Sequence, residues 1–394
     1  KLNFAVNVTE DDRYLLISAH SGTAPLEEVY YIDLASPDAK PVTLLPGFDA
    51  DYRYIANDGM RFWFFTDFEA PRGRIISLDL AAPEKANWKT IIAQAPETLL
   101  GADTVNHRLV ANYMKDACSQ VKIFDMEGRF VREATLPGIG TVGGFGGKKE
   151  YRETFYSFTS QTTPSQIFRY DMQSGQSTLF KKPTVDFQSS QYETKQVFYP
   201  SKDGTLIPMF ITHKKGLTLN GDNPTLLYGY GGFNISIRPG FSVMRAVWLE
   251  MGGVAAEANL RGGGEYGEDW HQQGIKLRKQ NVFDDFIAAA EWLIAQKYTS
   301  SQRLAIQGGS NGGLLIGACM TQRPELFAVA LPQVGVMDML RYHLFTIGWA
   351  WHSDYGLAEN EDEFRALYAY SPLHNLKKGT AYPSTMVTTG DHDD

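Results

Sequence analysis

The run Leu304-Ala305-Ile306-Gln307-Gly308-Gly309-Ser310-Asn311-Gly312-Gly313 sets the architecture for the second half of this 394-residue chain. Leu304 to Gln307 reads as a short buried strand, and Leu314 to Gln322 as a helix with no proline until Pro324. Between them stands a Gly-x-Ser-x-Gly turn. Strand, tight turn and helix in that order make a nucleophile elbow, in which glycines let the backbone cross itself and the serine hydroxyl stands exposed at the carboxyl edge of a sheet. With 37 glycines in the chain the pattern alone is weak, so its weight comes from the strand and helix on either side.

Composition narrows the classes. The length suits two or three domains with well-buried cores. Hydrophobic residues make up 43% of the chain, yet no run of eighteen apolar residues occurs, so no membrane partner is expected. A net charge of −8 without a lysine or arginine cluster argues against a nucleic-acid partner. Two cysteines, Cys118 and Cys319, exclude a disulfide framework and a four-ligand zinc site of ordinary spacing. No cofactor and no metal is expected.

Residues 1 to about 186 repeat. Tyr31-Ile32-Asp33-Leu34, Ser77-Leu78-Asp79-Leu80, Ile123-Phe124-Asp125-Met126 and Arg169-Tyr170-Asp171-Met172 each read as strand residues ending in aspartate, at a constant interval of 46 residues. Before each lies a further strand candidate: Tyr14 to Ser18, Phe62 to Thr66, Leu109 to Tyr113 and Phe155 to Thr159. A period of this length holds about four short strands with turns, the content of one β-propeller blade. A β-sandwich with evenly spaced strands is the alternative, and equal intervals weigh against it. The aspartates are read as turn formers.

The chain changes character near residues 184 to 194, which sets domains at 1–186 and 187–394. Strand candidates (197–199, 207–212, 225–228, 254–258, 304–307, 328–331 and 385–389) then alternate with helices at 242–251, 283–296 and 313–322. This order predicts an α/β fold with a mainly parallel sheet, whose ligands gather at the carboxyl ends of the strands. Ser310 falls there. After the strand Thr225 to Tyr228 comes Gly229-Tyr230-Gly231-Gly232-Phe233, in the loop that supplies oxyanion donors in α/β-hydrolases. Tyr230 suits that role beside the Asn311 N–H, although a glycine-rich turn with an ordinary tyrosine is the plainer reading. After 385–389 comes Gly390-Asp391-His392-Asp393-Asp394, where one aspartate suits a triad acid. His392 adjoins that acid and is a poor general base; the other seven histidines precede Asp393, against the Ser…Asp…His order. Gly262, Gly264 and Gly267 match G-x-G-x-x-G without a clean helix start, so dinucleotide binding is not expected. The pairs Asp284-Asp285 and Glu361-Asp362 are read as helix starts or solvated faces.

Six segments together carry a family resemblance. Tyr228-Gly-Tyr-Gly-Gly-Phe-Asn234, Asn259-Leu-Arg-Gly-Gly-Gly-Glu-Tyr-Gly267, Gly308-Gly-Ser-Asn-Gly-Gly313, Gln333-Val-Gly-Val-Met-Asp-Met339, Ser371-Pro-Leu-His-Asn375 and Gly390-Asp-His-Asp-Asp394 resemble, in order, the prolyl oligopeptidase family. The resemblance implies a propeller followed by an α/β-hydrolase domain, and a serine peptidase that cleaves short peptides after proline. It implies Ser310 as nucleophile, Asp393 as triad acid, and Tyr230 with the Asn311 amide as oxyanion hole. It further implies a proline pocket in which Trp351 stacks on the pyrrolidine ring, lined by Phe233, Val336 and Tyr355. Proline has no N–H to read, so a flat aromatic wall is the available recognition element. Without the family, Trp351 reads as a core or rim aromatic. In family terms the propeller covers the active site and admits only short peptides.

The family has seven blades and an N-terminal hydrolase segment, whereas about four repeats are visible here. Its catalytic histidine, and an arginine that binds substrate backbone, are expected beyond Asp394. The chain is therefore read as an internal fragment that turns over no proline substrate alone. A cytoplasmic monomer acting on short proline-containing peptides is expected, with a periplasmic location left open because the true N-terminus is unseen. The alternatives are a relative cutting after basic residues, which needs acidic pocket groups in place of Phe233, Val336 and Trp351, and a non-catalytic propeller binding module.

Overall fold

The computed structural model describes residues 2–391 and 393, which form two compact units. One unit comprises residues up to Phe158 together with Gln166–Lys182 and Tyr266–Glu268; the other comprises Thr159–Ser165, Pro183–Glu265 and the residues from Asp269 onward.

The first unit contains four four-stranded sheets. They are β1 to β4 (Leu2–Val8, Tyr14–Ser21, Glu27–Asp33, Val42–Ala50), β5 to β8 (Tyr52–Asp58, Arg61–Thr66, Arg74–Asp79, Lys89–Ile92), β9 to β12 (Thr98–Val105, Arg108–Lys115, Cys118–Asp125, Phe130–Glu133) and β13 to β16 (Thr141–Gly144, Glu153–Thr159, Gln166–Asp171, Ser177–Lys181). Within each sheet the strands lie in sequence order, as in a blade. The repeated aspartates end β3, β7, β11 and β15, the third strand each time. Each side chain accepts the backbone N–H two residues on, from Ala35, Ala81, Glu127 and Gln173. The 46-residue period is therefore a period of turns, as expected of aspartate at a strand end. Neighbouring sheets share apolar cores: Tyr14 and Leu16 with Phe62 and Phe64, Phe65 and Ile75 with Leu109 and Tyr113, and Val110 and Ile123 with Tyr156 and Tyr170.

An acidic group lies inside this unit. Burial, then the nearby Asp51 carboxyl, pushes the Glu27 carboxyl up to about 7, and one of its oxygens has no hydrogen-bond partner among the described residues. Burial raises Asp67 to about 6. A carboxyl whose pKa is raised on folding binds protons more tightly folded than unfolded, so its stabilising contribution is complete below its ordinary pKa and is lost as pH rises through the folded value. We expect the first unit to be less stable at about pH 8 than at about pH 5 for this reason, and Glu27→Gln to narrow the difference in Tm between the two conditions. An undiminished difference in the variant rejects Glu27 as a contributor.

The second unit is built on a seven-stranded sheet in the order β17-β18-β20-β19-β21-β22-β23. Its strands are β17 Tyr192–Pro200, β18 Leu206–Lys214, β19 Thr225–Tyr228, β20 Val254–Ala258, β21 Leu304–Gly309, β22 Val329–Gln333 and β23 Ser384–Thr385. The first pairings are antiparallel, and β20, β19, β21, β22 and β23 are mutually parallel. β23 is shorter than the strand expected at 385–389: pairing stops after Thr385 and resumes at an isolated bridge between Thr388 and Gln333. The helices that matter below are α1 Val243–Glu250, α2 Glu268–Gln272, α3 Gln280–Ala295, α4 Asn311–Gln322, α5 His352–Tyr355 and α6 Glu361–Tyr370. Glu361 and Asp362 open α6, capped by Asn360, as their spacing predicts.

Asp285 corrects the sequence reading. It is fully buried on α3, where Arg261 donates to it through Nη2 (2.6 Å), Nε (3.0 Å) and the backbone N–H (3.1 Å). Ser201 adds a hydroxyl donor at 2.5 Å, and Asp203 takes the remaining Arg261 fork at 2.5 Å. Asp285 read as part of a wet surface because its cation, Arg261, is 24 residues away in sequence.

Candidate active site

The site grows from the register of two parallel strands. Leu227 and Tyr228 of β19 pair with Ile306 and Gln307 of β21, so both chains leave the sheet side by side. Ser310 follows β21 with φ 56° and ψ −118°, a conformation rare for a residue with a side chain. A Cβ on Gly308 would lie 2.4 Å from the Gly312 oxygen, one on Gly312 2.8 Å from the Gly229 oxygen, and one on Gly313 2.5 Å from Gly335 Cα. Gly309 has no such neighbour. The glycines of the elbow pattern are thus enforced by close backbone crossing. The turn is pinned by the Ser310 N–H, which donates to the Gln333 carbonyl at 2.9 Å, and α4 begins at once at Asn311. Ser310 itself is exposed.

Tyr230 comes to the same point from β19, with its phenol near enough to the Ser310 hydroxyl for that hydroxyl to lower the phenol's pKa against the effect of burial. Burial pushes this phenol up, so it stays protonated and able to donate. The Asn311 N–H belongs to the first turn of α4, whose N–H groups have no acceptor inside the helix. A phenol O–H and a helix-start N–H next to a serine hydroxyl match the donors that hold a developing oxyanion.

The Asn311 side chain is a knot. Its Nδ2 donates to the Tyr230 carbonyl at 2.6 Å, while its Oδ1 accepts from Lys279 Nζ and from the Tyr355 hydroxyl, both at 3.0 Å. The expected pocket residues meet around Tyr355: Phe233 stands edge-on to its ring at 5.3 Å between centroids, and Trp351 edge-on at 6.4 Å. Tyr342, which sequence reasoning did not single out, stacks on Trp351 at 6.4 Å and donates to the Gly356 carbonyl. Val336 sits on the loop after β22, next to Gly335, whose backbone packs on Gly313. Phe233 and Asn234 both have φ 56°, and the Asp354 carboxylate holds this turn through the Phe233 N–H at 2.7 Å. Asp354 also takes a hydrogen bond from His271 at 2.9 Å. Burial alone raises the Asp354 carboxyl, but His271, Lys279 and the Phe233 N–H together hold it below its ordinary value.

Asp393 is exposed near the end of the parallel segment, accepting from the Thr389 hydroxyl at 3.2 Å. Its neighbours His392 and Asp394, both weighed in the sequence, lie outside the described residues. His352 bonds the Trp349 carbonyl and His374 the Ser371 hydroxyl, so both are engaged with groups other than Ser310. Lys279, Asp354, His271 and Tyr342 were missed because no local pattern marks them; only the spacing of Asp354 between Trp351 and Tyr355 offered a hint.

Comparison with known proteins bears on the same residues. The profile of the prolyl oligopeptidase family matches residues 239–394, and that of the prolyl oligopeptidase N-terminal beta-propeller domain matches residues 1–183. The chain is 50% identical over 388 residues to a prolyl endopeptidase of Elizabethkingia meningoseptica, covering 98% of this chain and 55% of that protein. It is 41% identical over 412 residues to a prolyl endopeptidase of Dictyostelium discoideum, covering 99% and 54%. A solved structure from a study of two prolyl endopeptidases superposes with TM-score 0.95 at 44% identity, covering 100% of this chain and 58% of that one. Prolyl oligopeptidase B of Galerina marginata, solved with a 35-residue substrate, superposes with TM-score 0.93 at 31% identity, covering 98% and 56%. The chain spans about half the length of the curated relatives it matches. The fold is the expected one, β-propeller blades followed by an α/β-hydrolase domain.

Proposed function

Because the chain belongs to the prolyl oligopeptidase family, we propose that the protein containing it is a serine peptidase that cleaves short peptides on the carboxyl side of proline. The observation that carries the reading is Ser310 in a strained turn (φ 56°) between β21 and α4, with the protonated Tyr230 phenol close to its hydroxyl and the Asn311 N–H at the helix start beside it. In this reading the Ser310 oxygen bonds to the substrate carbonyl carbon, and its proton passes to a histidine base of the complete protein. Tyr230 and the Asn311 N–H take the charge that develops on the carbonyl oxygen. The histidine returns the proton to the departing amine, and water repeats the sequence to free the acid. Asp393 has the role of orienting the base. Short proline-containing peptides are the partners, and the enzyme works as a monomer. The free cysteines Cys118 and Cys319 suit a reducing compartment such as the cytoplasm. No described helix is long and apolar enough to cross a membrane.

Proline specificity is assigned to the aromatic group of Phe233, Trp351 and Tyr355, with Val336 on the adjoining loop. These apolar rings favour it over cleavage after basic residues, which requires carboxylates in the pocket. Trp351→Ala in the complete protein is expected to raise KM and to shrink the kcat/KM advantage of a blocked glycyl-prolyl chromogenic substrate over its glycyl-alanyl counterpart. Loss of one stacked ring is worth on the order of 1 kcal/mol beyond its area, or about fivefold. An unchanged ratio removes Trp351 from the pocket.

A further inference from the structure

Lys279 lies at the start of α3, 1% exposed, an unusual place for an ammonium group. Its Nζ donates to the Gly231 carbonyl at 2.9 Å and to Asn311 Oδ1 at 3.0 Å. Gly231 follows Tyr230 in the chain, and Asn311 follows Ser310. The same Asn311 side chain donates back to the Tyr230 carbonyl. One cation therefore ties the peptide after the phenol donor to the residue that presents the N–H donor.

We propose that Lys279 is a positioning residue for acyl transfer, holding the Tyr230 phenol and the Asn311 N–H in the relative geometry that receives the oxyanion. The inference rests on the oxyanion reading of Tyr230 and extends it to a group that touches neither substrate nor Ser310. Several features fit it. The loop has no slack: Gly231 has φ 68°, and a Cβ there would lie 2.3 Å from Val282 Cγ1 on α3. The groups facing the ammonium are the Asp354 carboxylate, itself paired with His271, and the ring of Tyr355, 5.4 Å from Nζ to its centroid. The Tyr355 hydroxyl shares the Asn311 oxygen with Lys279, so pocket wall and oxyanion donors converge on one atom. Burial pushes the ammonium down to about 8 despite Asp354, which marks the site as one that opposes the charge it holds.

A double-mutant cycle in the complete protein tests this. Displacement of a catalytic donor by about 1 Å lowers rate by on the order of 10²-fold. Lys279→Met is expected to lower kcat by about 10- to 100-fold with KM changed less than about threefold. In a Tyr230→Phe background, where the phenol donor is already gone, the same substitution is expected to lower kcat by less than about threefold further. Lys279→Gln, which keeps a donor in the cavity, provides the same comparison if the methionine variant does not fold. Equal fold-losses in the two backgrounds, or a lowered Tm with unchanged kcat, overturn the proposal, since a purely structural lysine gives those results. If Tyr230→Phe alone leaves kcat unchanged, the oxyanion reading itself fails, and this is distinguishable from failure of the Lys279 assignment.

Discussion

Ser310→Ala in the complete protein is expected to lower kcat by on the order of 10⁴- to 10⁶-fold, with the affinity for a product-like proline peptide held within a few-fold. The backbone argument makes the prediction specific. Ser310 adopts φ 56° because the crossing of Gly308 and Gly312 leaves the chain no other path, and alanine at that position faces the same strain. The variant therefore keeps the elbow and loses only the oxygen that forms the acyl bond. The measurements are steady-state kinetics on the glycyl-prolyl substrate and labelling with a fluorophosphonate, which requires the serine oxygen. Retention of more than about a tenth of wild-type turnover, or persistent stoichiometric labelling, rejects the elbow as the acylation site.

Asp285→Ala is expected to destabilise the protein by about 3–5 kcal/mol, because it leaves the buried Arg261 guanidinium without its main partner. For a unit of this size the corresponding fall in Tm is roughly 6–20 °C. Asp203 is a half-exposed companion and compensates only part of the lost pairing. The double variant Arg261→Met, Asp285→Leu removes both charges at similar volume and is expected to recover most of the loss, since desolvation of an ion pair offsets much of its attraction. A single-variant loss below about 1 kcal/mol in urea unfolding shows that Arg261 is charge-balanced by other groups.

The blades and the elbow were legible from sequence for the same reason: both are local. A third-strand aspartate bonds the N–H two residues on, so its 46-residue recurrence shows in the chain wherever the sheets stand in space. The elbow shows because its strand, turn and helix are contiguous and Gly308 is crowded by Gly312, although the contacts that enforce Gly312 and Gly313 come from Gly229 and Gly335, far off in sequence. Asp285 misled because its meaning is set by Arg261, and the end of the sheet was misjudged because β23 pairs for only two residues before its register breaks.

The amino-acid sequence by itself determined the order of the two fold types, the serine at the strand-to-helix turn and the loop bearing Tyr230, while Phe233, Trp351 and Tyr355 were pointed to only through the family resemblance. Tertiary structure alone decided which groups hold them. Lys279, Asp354 and His271 span 83 residues between the outermost bonded pair, and little in their neighbours' identities distinguishes them from surface polar residues; Asn311 was marked by Ser310 for its N–H, but its side-chain contacts were not. The physical reason is that turn conformation is selected by nearest neighbours, whereas a buried charge is tolerated only where the fold supplies its partners from afar.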